Sequence, residues 1–237
     1  MNKLRDVTRI ESQEHWSNYF QLGWEKNNGR NQTRLFAEAF AKHTRIDRLS
    51  CKSLLDSSCA LGDAFPVLHN IFPNATLFGS DFSEVAINRC KAEYGNLGSF
   101  SVKSIENIEG YFDVIFSSAT LEHFTDYQQK SRILLSHCKY LCILVPYNEQ
   151  RLGRDLSFKP ENDHVVTFRQ NSFDYLVKEG VAEVVTNIIF RVPGAWSWTL
   201  KDYILQPIKN IIRLLLGRPL VWERKMILFE IKSSTSI

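Results

Sequence analysis

The feature that most constrains the fold of this chain is a series of short apolar segments that alternate with helix-like segments. The apolar segments are rich in β-branched and aromatic residues, as strands buried on both faces of a sheet are. They lie at 52–57, 75–80, 99–104, 112–118 and 140–147. Helical patterns lie at 62–71, 83–94 and 121–138. The alternation predicts an α/β fold with a mostly parallel, Rossmann-like sheet and helices on both faces.

Composition argues against some classes of function and indicates the cellular compartment. The 237 residues carry a net charge of only +3 and no run of Lys and Arg, which argues against a nucleic-acid partner. The five cysteines form no CxxC pair, so free thiols in a reducing compartment are expected. The N-terminal "MNKLRDVTRIESQEHW" lacks the apolar core of a signal peptide. We therefore expect a cytoplasmic protein.

Ligands of such sheets bind where the parallel strands end, so the residues after each strand are the site candidates. The first strand runs into small residues between Asp56 and Gly62, which let the backbone approach a ligand closely. Asp81 follows the second strand, 25 residues after Asp56. An acid at that place can accept hydrogen bonds from both hydroxyls of a ribose, or it can simply cap the helix that begins near Ser83.

Four segments in order then carry a resemblance: "LLDSSCALGD", "LFGSDFSEVAI", "YFDVIFSSATLEHF" and "CILVPY". Together they resemble the class I S-adenosylmethionine (SAM)-dependent methyltransferases over roughly residues 50–150. The later "DHVVTFRQNSFDYLVKEG" resembles a segment of the small-molecule branch of that family, which includes enzymes of polysaccharide biosynthesis.

The resemblance implies a seven-stranded sheet whose last strand is antiparallel, with 182–192 and 225–232 as the sixth and seventh strands. It implies a methyltransferase domain at 50–237, preceded by residues 1–49 as a helical cap of the substrate site. The aromatic segment 15–24 would close over the pocket or pack into the core.

The resemblance also implies SAM as methyl donor and S-adenosylhomocysteine (SAH) as product. The candidate cofactor-binding residues are Asp56, Ser58, Cys59, Ala60, Gly62, Asp81, Phe82, Ser104 and Ser117. Ser58 and Ala60 stand where the family usually has glycine. That loop must either strain Ser58 at positive φ or keep an ordinary backbone with Ser58 donating a hydrogen bond. Ser104, or else Glu106, would replace the acid that contacts the adenine amino group.

Two histidines are candidates for the general base that a hydroxyl acceptor needs: His123 after the fourth strand and His164 after the fifth. Each could instead be a structural histidine. Some relatives hold a divalent metal with an E-x-x-E-H motif, but Ala119 stands at its first acid, so no metal is predicted. "SSCALG" also lacks the G-x-G-x-x-G of nicotinamide dehydrogenases.

The resemblance favours O-methylation of a small-molecule hydroxyl, with a sugar on a nucleotide or lipid carrier as the preferred acceptor. A phenol or quinone is the second candidate for the acceptor. Because Ser58 and Ala60 replace two glycines of the family, a third hypothesis stays open, in which the protein is a catalytically silent scaffold or binding protein.

An inserted amphipathic helix is predicted at about 203–217, with Pro207 suited to a first helical position and Gly217 as its stop. It is too short to span a membrane. Its apolar residues share one face, so the helix would rest on the inner membrane surface, pair with a second subunit or cover the sheet.

Overall fold

The computed structural model describes residues 12–148, 164–193, 200–216 and 223–234, and these contain a seven-stranded sheet. Its strands are β1 Ser53–Ser57, β2 Thr76–Asp81, β3 Gly98–Val102, β4 Phe112–Ser118, β5 Cys138–Pro146, β6 Ala182–Pro193 and β7 Glu223–Ser233. Their order across the sheet is β3-β2-β1-β4-β5-β7-β6. Strands β1 to β5 are parallel, and β7 runs antiparallel to both of its neighbours. The predicted fold class, with its antiparallel last strand, is confirmed.

Helices flank this sheet. They are α1 Gln13–Leu22, α2 Gly29–His43, α3 Phe65–Ile71, α4 Glu84–Tyr94, α5 Tyr127–Ser136, α6 Asp174–Lys178 and α7 Leu200–Leu215. Ser83 caps α4 as predicted, because its hydroxyl accepts a hydrogen bond from Ala86 N at 3.3 Å. The helix predicted at 121–138 is broken: a 3₁₀ turn covers Leu121–His123 and α5 follows separately.

The core has two layers, one on each face of the sheet. Leu54 lies in one layer and its neighbour Leu55 in the other, because successive side chains of a strand point to opposite faces. Helix α2 belongs to the first layer, where Phe40 stacks on Phe116 with ring centroids 4.5 Å apart. The second N-terminal helix therefore shares the core of the sheet.

Helix α7 lies in the connection between β6 and β7. It begins at Leu200, earlier than predicted, so Pro207 lies inside the helix and the prediction that Pro207 takes a first helical position was wrong. Proline lacks an N–H, and the helix loses one internal hydrogen bond there. The predicted stop at Gly217 falls outside the described residues. Within the described ranges, the structure contains no helix long and apolar enough to cross a membrane.

Candidate active site

A cavity of about 420 Å³ opens at the carboxyl ends of β1, β2 and β4, which is where a parallel sheet binds its ligands. It brings together most of the side chains that the sequence singled out. Those lining it are Asp56, Ser58, Cys59, Ala60, Asp81, Phe82, His123 and His164. Gly62, Ser104 and Ser117 are not among the residues that line it.

The loop after β1 has a left-handed backbone at two residues. Ser58 has φ 63° and Ala60 has φ 50°, so the alternative of an ordinary backbone was wrong. Two hydrogen bonds hold the turned loop: Cys59 N donates to Ser80 O at 2.9 Å, and Ala60 N donates to a carboxylate oxygen of Asp81 at 3.1 Å. A side chain in this conformation costs about 1–2 kcal/mol, so the two replacements of glycine leave strain in the loop.

Gly62 keeps its conformational role but lies behind the cavity. Its φ is 80°, and a Cβ there would lie 3.0 Å from Tyr94 Cδ2 and 3.1 Å from Cys90 Sγ. The residue therefore packs the loop closely against α4.

A charged cluster that the sequence did not indicate fixes the same loop from outside. The Arg30 guanidinium bonds Asp63 at 3.0 Å and Glu93 at 2.7 Å, and the Tyr94 hydroxyl donates to Asp63 at 2.8 Å. Arg30 lies 33 residues from Asp63 in sequence and belongs to no motif, so only the fold reveals the contact.

Two buried carboxyl groups lie together beside this loop. Burial, and secondarily the charge of Asp81, raises the pKa of Asp56 to about 8. Burial raises the pKa of Asp81 to about 7 although backbone amides of Ser83 and Ala60 oppose the shift. Asp56 Oδ2 is buried and has no hydrogen-bond partner among the described residues. Such an orphaned acceptor is costly in the free protein and suits a cationic ligand group.

Asp81 makes the helix-start contact that the sequence offered as one alternative, and it also holds the loop after β1, while its contact with a ribose stays a prediction. Its Oδ1 accepts from Ser83 N at 2.9 Å, next to the start of α4, and its Oδ2 accepts from Ala60 N. Each carboxylate oxygen has a second acceptor position, so the group can still receive hydroxyl donors from the cavity.

The two candidate histidines meet although they are far apart in sequence. Val165 N and Val166 N donate to Glu122 O at 2.8 and 3.1 Å, which docks the segment after the fifth strand onto the Leu121–His123 turn. The rings of His123 and His164 lie 5.0 Å apart, and Trp16 packs on His123 at 4.8 Å.

Glu122, His123 and His164 form a buried group that we call the Glu–His–His cluster. Their nitrogen and carboxylate atoms lie within 4.8 Å of one another, a donor set of the kind that holds divalent metals. The sequence analysis compared residues 119–123 with a metal motif and found Ala119 in place of its first acid. It could not show that His164 comes close to Glu122 and His123, because His164 lies about 40 residues further along the chain. That the protein needs no metal stays a prediction.

Aromatic residues of α1 and the turn after it form one wall of the cavity. Trp16, Tyr19, Phe20 and Trp24 line it, and α1 is joined to α4 by a 2.9 Å hydrogen bond between Ser17 and Ser83. Lining residues that the sequence analysis missed include Asn27, Gln32, Thr33, Phe36, Ser118, Thr120 and Phe124. The described lining contains no Lys or Arg.

Two predicted cofactor residues lie away from the lining. Ser104 accepts a hydrogen bond from Asn107 Nδ2 at 3.1 Å, and Glu106, its alternative, pairs with Lys130. The Ser117 hydroxyl is buried without a partner in the described part of the chain, while the next residue lines the cavity. The adenine contact of Ser104 therefore stays a prediction that the lining does not support.

Residues 50–180 match a protein family described as "Methyltransferase domain". This chain belongs to that family. The resemblance to class I SAM-dependent methyltransferases is thereby confirmed, and SAM is the cofactor to which the family and the SAM- or SAH-bound neighbours point.

Known methyltransferases show how far the likeness extends. The chain is 26% identical over 113 residues to trans-aconitate 2-methyltransferase of Deinococcus radiodurans, covering 46% of this chain and less than half, 44%, of that enzyme. Its fold is similar to that of the plantazolicin methyltransferase BpumL bound to SAH, with TM-score 0.60, 18% identity and 96% and 97% of the two chains covered. Magnesium protoporphyrin IX methyltransferase from Synechocystis, with bound SAM, gives TM-score 0.55 at 12% identity, covering 98% of this chain and 100% of that chain.

The residues of this methyltransferase domain fit SAM at two points. The partnerless Asp56 Oδ2 suits the cationic methionine end, and the free acceptor positions of Asp81 suit the ribose hydroxyls. These assignments remain predictions for the binding experiment described below.

Proposed function

We propose that this protein transfers the SAM methyl group to a hydroxyl group of a small molecule. The observation that supports this most is the meeting of two buried histidines in the cavity that also contains Asp56 and Asp81. A cofactor site and a candidate base then share one enclosed space, as an O-methyl transfer requires.

Bound SAM supplies a methyl group on a positive sulfur, which an acceptor oxygen can attack in line. Asp56 and Asp81 would hold SAM in the cavity, and a ring nitrogen of His164 or His123 would accept the proton of the acceptor O–H. The protein chiefly aligns the reactants, which can lower the barrier by about 7–11 kcal/mol. The histidine adds about 10²–10⁴-fold.

The base is tested with His123→Ala and His164→Ala, using the exposed His69→Ala as a matched control. We expect the variant that removes the base to lose about 10²–10⁴-fold in turnover and to bind SAH normally. Full activity in both single variants and in the double variant would contradict a histidine base.

For the acceptor we propose the hydroxyl group of a sugar that is carried by a nucleotide or a lipid. The protein would act in the cytoplasm, in polysaccharide biosynthesis. This choice comes from the sequence resemblance. The absence of Lys and Arg from the described lining favours a neutral reacting group over a carboxylate, because a carboxylate acceptor would need a cationic partner.

A phenol or quinone is the second candidate acceptor, and a specific observation favours it. Trp16, Tyr19 and Phe124 line the cavity, and aromatic side chains such as these favour a flat aromatic ring. Methyl transfer from radiolabelled SAM to nucleotide sugars and to hydroxylated aromatic rings, assayed side by side, separates the two.

Calorimetric titration with SAM and SAH tests the cofactor assignment before any acceptor is known. We expect binding by the wild type and strong weakening in Asp81→Ala. A folded wild type that binds neither compound would favour the silent scaffold.

A further inference from the structure

We propose that α7 is a membrane-surface anchor that docks the protein on an anionic lipid bilayer. One face of α7 carries an apolar stripe, which consists of Ile204, Ile208, Ile211, Ile212 and Leu215. These positions recur at helical spacing along one face of the helix, which at 16 residues is about 24 Å long. All five side chains are between 51% and 81% exposed, so the apolar face of α7 points away from the protein.

On the side of the helix away from the stripe, Asn210 is buried. A helix that covers a sheet buries its aliphatic stripe and exposes its polar residues. Helix α7 leaves its aliphatic stripe exposed, so the stripe does not cover the sheet and is free to meet another apolar surface.

The charge of the segment around α7 indicates which apolar surface the stripe would meet. Residues 191–225 contain seven Lys and Arg but only two Asp and Glu, whereas the whole chain has net charge +3, so the rest of the chain is net acidic. The described members Arg191, Lys209 and Lys225 are exposed. Three of the five tryptophans, Trp196, Trp198 and Trp222, fall in the same stretch of sequence. Basic residues and tryptophans close in sequence to an aliphatic stripe complement anionic headgroups over an apolar interior.

The same charge argues against a second copy as the occupant. A two-fold contact through the stripe would bring two basic segments together, and like charges across an interface oppose association. Lysine is also depleted in such interfaces. A bilayer surface with anionic lipid has the opposite charge and needs no matching shape.

The position of α7 links the anchor to the cavity. Pro193 pairs with Glu223 where β6 ends and β7 begins, and Pro146 pairs with Met226 at the carboxyl end of β5. The connection that carries α7 thus leaves the sheet at the edge where the cavity opens. The strand ends that carry α7 therefore lie at the edge where an acceptor on a lipid carrier would enter the cavity.

Vesicle sedimentation with the full chain tests this without any methyl acceptor, so it can fail independently of the proposed reaction. We expect the wild type to pellet with mixed phosphatidylcholine–phosphatidylglycerol vesicles and much less with phosphatidylcholine alone. The double variant Ile211→Glu/Leu215→Glu should lose more than about tenfold in affinity. Leu49→Glu, at an equally exposed leucine outside the helix, should bind like the wild type.

Charge is tested separately. Lys209→Glu should weaken binding to anionic vesicles about fivefold or more, while Lys91→Glu on α4 should have little effect. Because all of these positions are exposed, we expect the variants to keep their fold, which circular dichroism and urea melts check.

Three outcomes would overturn the anchor. One is a wild type that stays in the supernatant with anionic vesicles. Another is undiminished binding by Ile211→Glu/Leu215→Glu. The third is a dimer, measured by light scattering, that this double variant dissociates while no form binds vesicles, since a second copy would then cover the stripe.

Discussion

The buried carboxyl pair predicts that cofactor affinity depends steeply on pH. In the free protein, burial keeps the Asp56 carboxyl protonated up to its raised pKa of about 8. A cationic ligand group prefers the ionised carboxylate, so binding below that pH must release a proton. Each pH unit below the pKa then costs a factor of ten in affinity, and lowering the pH from 8 to 6 weakens SAH binding by up to about 100-fold.

The direction in which stability changes with pH follows from the linkage between proton binding and folding. The folded pKa is raised above the usual value of 3.8, so between about pH 4 and 8 the folded state holds a proton that the unfolded chain has lost. The stability of the ligand-free protein therefore falls as the pH rises through this window. Bound SAH offsets that fall, so the stabilisation by SAH grows toward pH 8.

The assay is isothermal titration with SAH from pH 6 to 9, in buffers of different ionisation enthalpy so that released protons are counted. Asp56→Asn is the matched control, since it keeps the shape and removes the ionisation. It should bind more weakly with a flatter pH profile. An identical pH slope in both proteins would refute the reasoning, because the slope would then come from the ligand or from another group.

Further predictions concern the loop, the core and the Glu–His–His cluster. Gly62→Ala should lower the free energy of unfolding by about 1–2 kcal/mol, because alanine is strained at φ 80° and its Cβ crowds Tyr94; urea melts would measure this. Phe40→Ala should cost about 3–5 kcal/mol in the same assay through the lost stacking on Phe116, and a loss below 1 kcal/mol would mean that α2 is not part of the core. Methyl transfer should survive extensive chelation, whereas loss with EDTA and recovery with one divalent ion would make the cluster a metal site.

Periodicity alone was enough to predict much of the sheet. The predicted strand 112–118 matches β4, because continuous apolar runs bounded by small residues have few alternatives in an α/β chain. The antiparallel last strand came from the resemblance, since short-range patterns do not encode pairing direction. Helix boundaries were less certain: Pro207 looked like a helix start, but α7 tolerates it internally.

The candidate site was predictable where it follows strand ends and not where it depends on contacts between distant segments. Asp56 and Asp81 were found because parallel strands bring their carboxyl ends to one edge. The meeting of His123 with His164 depends on two backbone hydrogen bonds to Glu122 that leave no trace in the sequence. The positive φ of Ser58 was one of two alternatives that the sequence left open, because serine itself does not indicate the left-handed region.

The strand order also has a consequence for how the chain is made. β7 follows β6 in sequence but lies between β5 and β6 in the sheet. Until β7 has emerged from the ribosome, β5 has one unpaired edge and β6 has no partner strand. The nascent protein can complete its sheet only after β7 emerges, so this stage of synthesis is when edge-to-edge aggregation and the need for a chaperone should be greatest.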